Sequence, residues 1–222
     1  MPQLSQSTEE YLEAIYKLSR DSEAGTDRVT VGRLATALEI SPPSVSQMLG
    51  RLRQAGLVVR GESGGVVLTT EGLAAGARLV RRHRLSERFL ADYLDLPWDQ
   101  VHEEACKFEH VLSAEVEERL AAQLGNPRTC PHGQAIPDED GLARDEPAVP
   151  LTDLAEGEAT TIVRISDERP DLLRYLASLG LLPETEIRIE GVAPFGGPYL
   201  VRVGDAQYAL GREVAGKVFV RS

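Results

Sequence analysis

Apolar residues recur at helical spacing from the start of the chain. Leu12, Ile15, Tyr16 and Leu18 share a face after Ser7-Thr8-Glu9-Glu10, with capping hydroxyls between Ser5 and Thr8. A polar, glycine-containing loop follows over Asp21–Asp27. Thr30 then caps a short helix running to Leu38, and Ile40-Ser41-Pro42-Pro43 makes a turn with a serine cap and a proline in the first helical turn. A second helix over Ser44–Ala55 buries Val45, Met48, Leu49 and Leu52, turns Gln47, Arg51 and Arg53 outward, and ends at Gly56. Leu57–Arg60 and Val66–Thr69 flank a Gly-rich tip and read as a hairpin. Helix, short helix, turn, helix, hairpin is the order of a winged helix-turn-helix, whose second helix fits a major groove.

The helical period returns at Glu71 and continues to about Leu94, with Pro97 as its breaker. Trp98–Glu104 reads as a short helix, and Ala105–Leu124 as another stopped by Gly125-Asn126-Pro127. The next stretch is rich in proline (Pro127, Pro131, Pro137, Pro147, Pro150) and carries the acidic run Asp138-Glu139-Asp140. Beyond Leu151 the period changes to that of strands: Ala159–Ile165, Glu186–Val192, Tyr199–Val203, Ala206–Leu210 and Lys217–Val220, with one helix over Pro170–Leu179. Short strands around one helical excursion predict a small barrel. The expected organisation is a winged helix-turn-helix domain over 1–70, a helical domain over 71–140, a linker over 141–150 and the barrel over 151–222.

Composition changes this picture in two places. The 222 residues are 42% hydrophobic and 27% charged, which excludes wholesale disorder, and aromatics at 5% leave the cores aliphatic. The formal charge of −11 argues against nucleic acid, but Arg28–Arg60 holds five arginines and one acid, Glu39, so a local basic face exists where the winged helix is predicted. No apolar run long enough to span a membrane occurs, and the N-terminus lacks the basic head and apolar stretch of a signal peptide. With two cysteines and no export signal, a reducing cytoplasm is the expected setting.

The acidic middle third carries the candidate chemistry. His83 and Glu87 lie four apart on the long helix, His102 begins the short one, and Cys106, Glu109 and His110 follow. Imidazole, thiolate and carboxylate are the usual transition-metal ligands. Taken singly, each pair also reads as a solvated ion pair or a core cysteine; on two neighbouring helices they read together. The segment His102-Glu103-Glu104-Ala105-Cys106 lacks the second histidine of a zinc protease, so a metallohydrolase is poorly supported and no enzyme is expected. Cys130-Pro131-His132 offers two donors in a proline-rich stretch and reads as a structural linker; Trp98 reads as packing at the helix junction.

STEEYLEAIY (7–16), SPPSVSQMLGRL (41–52), RRHRLSERFL (81–90) and VHEEACKFEHVLSAEVEERL (101–120) together resemble the diphtheria toxin repressor family, metal-dependent bacterial regulators of iron or manganese uptake. The strand-rich tail with DERPDLLRYLASLGLLP (167–183) resembles the SH3-like, FeoA-like domain of some members. The resemblance implies a primary site from Glu10, Cys106, Glu109 and His110. It implies an ancillary site from His83, Glu87 and His102, to which the tail contributes Glu168 and Asp171. Those two carboxylates also suit the N-terminus of a helix on their own account. It further implies that Ser41, Pro43 and Gln47 face base edges, with Ser44, Ser46, Arg51 and Arg60 at phosphates, and that a homodimer reads an inverted-repeat operator in double-stranded DNA.

Iron-responsive members place Met at the position of Glu10 and manganese-responsive members a carboxylate, so Glu10 beside Cys106 is a mixed set. Carboxylate oxygen favours Mn(II), with Fe(II) as the alternative; Zn(II), Co(II), Cd(II) or Ni(II) would be accepted in vitro. The rival readings are a winged-helix regulator sensing a small organic ligand, which would leave the His/Cys/Glu set idle, and an interaction protein acting through its barrel.

Overall fold

The computed structural model describes residues 4–20, 29–62, 64–138 and 140–222. The loop expected over Asp21–Asp27, Ser63 of the wing tip and Glu139 of the acidic run lie outside them. The chain forms two compact units: residues 1–82 with 137–143, and residues 83–136 with 144–222.

The first unit is the winged helix. Its elements are α1 (Gln6–Arg20), α2 (Val31–Ala37), α3 (Pro42–Gln54), β1 (Val58–Arg60), β2 (Val66–Leu68) and the first half of α4 (Thr70–Leu94). The caps act as the sequence indicated: Thr30 Oγ1 accepts from the Arg33 amide at 3.2 Å and Ser41 Oγ from the Ser44 amide at 3.4 Å. Gly56 adopts φ +74° beyond α3, the left-handed conformation that closes a helix without a Cβ clash. Leu12, Ile15, Leu34, Val45, Leu49, Leu52 and Val58 form the core. Gly72 is required by packing: a Cβ there would meet the Leu57 carbonyl oxygen at 1.9 Å, so α4 can lie against the root of the wing only with glycine at this position. Val59 pairs with Val67 across the wing.

The second unit joins the rest of α4 to α5 (Val101–Phe108), α6 (Ala114–Gln123) and an antiparallel sheet. α4 stops at Leu94 because Asp95 turns to φ +51°, two residues before Pro97. The helix expected over Ala105–Leu124 is broken. Glu109–Val111 tighten into a 3-10 turn, and Ser113 recaps α6 by accepting from the Val116 amide at 3.3 Å. The sheet comprises β3 (Ala148–Pro150), β4 (Ala159–Ile165), β5 (Glu186–Val192), β6 (Tyr199–Val203), β7 (Ala206–Leu210) and β8 (Val218–Arg221), in spatial order β3-β8-β4-β5-β6-β7. β3 falls within the stretch expected to be a linker; Val149 pairs with Val220. α7 (Pro170–Ser178) packs Leu172, Leu173 and Leu176 onto the apolar face of the sheet, and the short α8 (Arg212–Ala215) contributes Ala215. This is the small all-β tail that the SH3-like resemblance implied. Among the described residues, no helix is long and apolar enough to cross a membrane.

Candidate metal centre

His83 and Glu87 sit one turn apart on α4 with no solvent exposure. Ionisable groups buried on one helical face must find partners from other segments, or the cost of desolvation stands uncompensated. α5 supplies His102, whose Nδ1 lies 3.0 Å from His83 Nε2 and 3.2 Å from Glu87 Oε1. The turn after β4 supplies Glu168, with Oε2 3.0 Å from His102 Nδ1. His83 Nε2 reaches Glu87 Oε1 at 3.1 Å and its Nδ1 reaches Glu109 Oε2 at 2.5 Å. His83, Glu87, His102 and Glu168 therefore offer four ligand atoms within 4.8 Å of one another.

A second group shares two of these residues. The loop after α6 brings Cys130 and His132, both buried, beside Glu87 and Glu168, and this set also offers four ligand atoms within 4.8 Å. The loop is held against the sheet: the Ile165 amide donates to the His132 carbonyl at 3.0 Å, and Gln134 Nε2 donates to the Ile165 carbonyl at 2.8 Å. Gly133 makes that approach possible. It sits at φ +85°, and a Cβ would meet the Val163 carbonyl oxygen at 2.0 Å.

Two buried atoms in this set, Glu87 Oε2 and His132 Nδ1, have no hydrogen-bond partner among the described residues. Buried polar atoms are rarely left so, and an orphaned carboxylate oxygen beside an orphaned imidazole nitrogen marks a place where a cation fits. Sulfur, nitrogen and two carboxylate oxygens suit a divalent transition metal.

Without a metal, the histidines themselves carry the positive charge that faces the carboxylates. Burial pushes the Glu87 carboxyl up, but His83, His102 and His132 together hold it well below the usual carboxylate range. Burial would lower His102, yet Cys106, Glu168 and Glu87 raise it to about 11; His132 is likewise raised to about 11, against burial, by Cys130 and Glu87. Cys106 is pulled down to about 6 because His102 and His83 outweigh its burial. Burial and the Glu87 charge push the Cys130 thiol up.

Of the expected ancillary residues, His83, Glu87, His102 and Glu168 come together. Asp171 stays outside: it is exposed, and its Oδ1 accepts from the Leu172 amide at 2.9 Å, a helix-end role. Of the expected primary residues, Glu109 and His110 stand 3.4 Å apart, while Cys106 Sγ lies 3.9 Å from His102 Nε2 and groups with His83 and His102. Glu10 belongs to the first unit, where it accepts from Gln6 Nε2 at 3.1 Å and lines a cavity of about 280 Å³ with Ser44, Gln47 and Arg51. Cys130 and His132 fall in the stretch that the sequence reads as linker; two donors around a proline, followed by glycine, are the signal that the sequence offers for them.

In the first unit, Ser41, Pro43, Ser44, Ser46, Gln47 and Arg51 are exposed along α3, and Arg60 is exposed on the wing. The hydroxyls of Ser41 and Ser44 are 2.8 Å apart, and Ser46 Oγ donates to the Pro42 carbonyl at 3.0 Å. These serines cap and brace the helix start, while Gln47 is exposed at its middle and Arg51 in its last turn.

Models of known families match almost the whole chain. Residues 3–66 match the iron dependent repressor N-terminal DNA binding domain, 69–138 the iron dependent repressor metal binding and dimerisation domain, and 149–222 the FeoA domain. The iron-dependent repressor IdeR of Mycobacterium leprae is 36% identical over 99% of both chains. The diphtheria toxin repressor of Corynebacterium diphtheriae is 39% identical over 74% of this chain and 71% of that protein. A solved structure of a manganese-dependent transcriptional repressor in complex with manganese superposes with a TM-score of 0.88 at 35% identity, covering 97% of this chain and 99% of that one. ScaR with bound Zn2+ gives 0.82 at 31% identity over 97% and 99%.

Proposed function

This chain belongs to the family of iron-dependent repressors and is a metal-dependent transcriptional repressor; on that premise we propose that Mn(II) is its co-repressor and that it acts in the cytoplasm as a homodimer on inverted-repeat operators of metal-uptake genes. The observation that carries the metal reading is the buried convergence of Glu87, Cys130, His132 and Glu168 with two orphaned polar atoms. A divalent cation held there, and by His83 and His102 beside it, would take over from the protons of His102 and His132 as the charge facing Glu87 and Glu168. The second set, Glu10 with Cys106, Glu109 and His110, rests on the sequence motif.

Glu87 is common to both buried groups, so its carboxylate ties the α4 stripe to the loop at 130–132. Glu168 ties both to the sheet. Gln47 would meet base edges with Ser41 and Pro43, and Ser44, Ser46, Arg51 and Arg60 would meet phosphates. The exposed apolar side chains Tyr93 and Leu94 at the end of α4, Phe108 and Val111 at and after the end of α5, and Val116 in α6 are our candidate dimer contacts. To move from one competent molecule in about a hundred to nearly all, loading must favour the DNA-binding form by about 5.5 kcal/mol.

The carboxylates of Glu87 and Glu168, and that of Glu10, support Mn(II). Fe(II) is the second reading, favoured by the Cys130 thiol and the likeness to IdeR. The test is to recover duplexes from a random pool with protein loaded anaerobically with either ion, and then to titrate binding against free Mn(II) and Fe(II) at fixed salt, with a chelator control. Equal affinity in chelator and in metal would overturn the co-repressor reading.

A further inference from the structure

We infer that Trp98 is a positioning residue for this centre: it clamps the Cys130-Pro131-His132 turn from two sides and so reserves His132 Nδ1 as a donor to a divalent cation. The inference rests on the reading above that Cys130 and His132 bind metal.

The clamp is reciprocal. Trp98 Nε1 donates to the Pro131 carbonyl at 3.0 Å, and His132 Nε2 donates to the Trp98 carbonyl at 3.0 Å. A carbonyl can only accept, so Nε2 must carry a hydrogen. Nδ1 is then the ring nitrogen left to face Glu87 Oε1 at 3.5 Å and Glu168 Oε1 at 3.8 Å. A hydrogen bond at one imidazole nitrogen decides which nitrogen can take a metal.

The indole is itself held in place. It packs against the apolar core of the sheet, and its ring centroid lies 5.1 Å from that of His132. Other bonds fix the loop around it: Arg88 Nε donates to the Thr129 carbonyl at 2.8 Å, and the Cys130 amide to the Gln134 carbonyl at 2.9 Å. If Trp98 only filled space, phenylalanine would serve almost as well; phenylalanine lacks the N–H that holds Pro131. Pro131 sits between the two donors, so release of its carbonyl lets Cys130 and His132 move apart.

The probe is Co(II), whose thiolate charge-transfer band reports sulfur ligation, in a Cys106→Ser background where Cys130 is the one remaining thiol. Trp98→Phe should weaken Co(II) binding by about tenfold or more, the usual cost of removing an outer partner of a ligand. Trp98 is the sole tryptophan of the chain, so biosynthetic 7-azatryptophan replaces it alone, keeps the N–H and should restore the affinity. Unchanged affinity and band in Trp98→Phe overturn the clamp. A parent protein with no thiolate band removes the Cys130 reading itself, and the clamp with it. Zn(II)-loaded protein without substitutions, examined by 15N NMR of its histidines, gives a measurement independent of variant folding. His132 with a protonated Nε2 and a ligating Nδ1 is expected, and the reverse assignment refutes the inference.

Discussion

Gly133→Ala puts one methyl group where the loop meets the sheet. The new Cβ would lie 2.0 Å from the Val163 carbonyl oxygen and 2.8 Å from the Arg164 Cα, and both are backbone atoms that no rotamer change can move aside. The φ of +85° adds its own penalty, about 1–2 kcal/mol for a residue with a Cβ in the left-handed region. To relieve the overlap the loop must retreat from β4. That lengthens the bond from the Ile165 amide to the His132 carbonyl and the bond from Gln134 to the Ile165 carbonyl. At about 1 kcal/mol each, these bring the total to about 3 kcal/mol. For a chain of this size the thermal midpoint should fall by roughly 6–12 °C in chelator. The same retreat pulls Cys130 and His132 away from Glu87 and Glu168, so the stabilisation conferred by saturating Mn(II) should shrink by about 1.4 kcal/mol or more, the equivalent of a tenfold loss in affinity. Differential scanning calorimetry with and without Mn(II) measures both quantities. A midpoint within 2 °C of the parent, with an undiminished metal-induced shift, would refute the claim that contact with the sheet holds the loop in its ligating position.

Glu87→Gln removes one of the two carboxylates common to both groups while keeping its volume; the chelated protein should lose about 3 kcal/mol because His83, His102 and His132 are left without their shared anion, and denaturant melts will show it. Metal-dependent DNA retention should vanish with it. In chelator, stability should fall as pH rises: His102 and His132, raised to about 11, bind protons in the folded chain that the unfolded chain releases near 6.5, so their contribution is complete below 6.5 and disappears as pH passes 11. Cys106, lowered to about 6, acts oppositely, with its contribution complete above 9 and lost as pH falls through 6, so melts between pH 7 and 11 should steepen above 9; a flat profile contradicts the assignment. Gln47→Ala should cost about 1–3 kcal/mol on the selected operator and relax its sequence preference, whereas Arg51→Ala should weaken all duplexes alike and lower the salt slope by about one, both measurable by fluorescence anisotropy. Val111→Asp, at a side chain 76% exposed, should convert the dimer to monomer in sedimentation without lowering the thermal midpoint of the metal-free chain by more than about 1 °C.

Local chemistry made most of the fold legible. Thr30, Ser41-Pro42 and Gly56 announce where helices begin and end because a cap acts within three or four residues of itself. The strands Ala159–Ile165, Glu186–Val192, Tyr199–Val203 and Ala206–Leu210 have their predicted bounds, since period-two burial and the intervening turns are also local signals. Where a distant partner decides, the pattern was mute. Ala148–Pro150 is a strand because β8 offers an edge, and the helical periodicity after Ala105 conceals the 3-10 turn at Glu109–Val111.

The candidate site divides in the same way. His83 and Glu87 can be paired from sequence because four residues make one helical turn; the same count pairs Cys106 with His110, but the 3-10 turn at Glu109–Val111 intervenes and Cys106 groups with His83 and His102 instead. Cys130 and His132 lie more than forty positions from Glu87 and in no regular element, so no periodicity links them. Folding brings them together through the stapled loop, the glycine that clears Val163 and the sheet that carries Glu168. The same docking separates Glu168 from Asp171, three residues apart in sequence: one side chain reaches His102 in the cluster, and the other is exposed in the first turn of α7, accepting from the neighbouring Leu172 amide. By itself the sequence determined the elements, the family and the donor types. Only the tertiary structure decided that Cys130 and His132 share that space and Asp171 does not, because ligand convergence depends on distances between segments that no local pattern encodes.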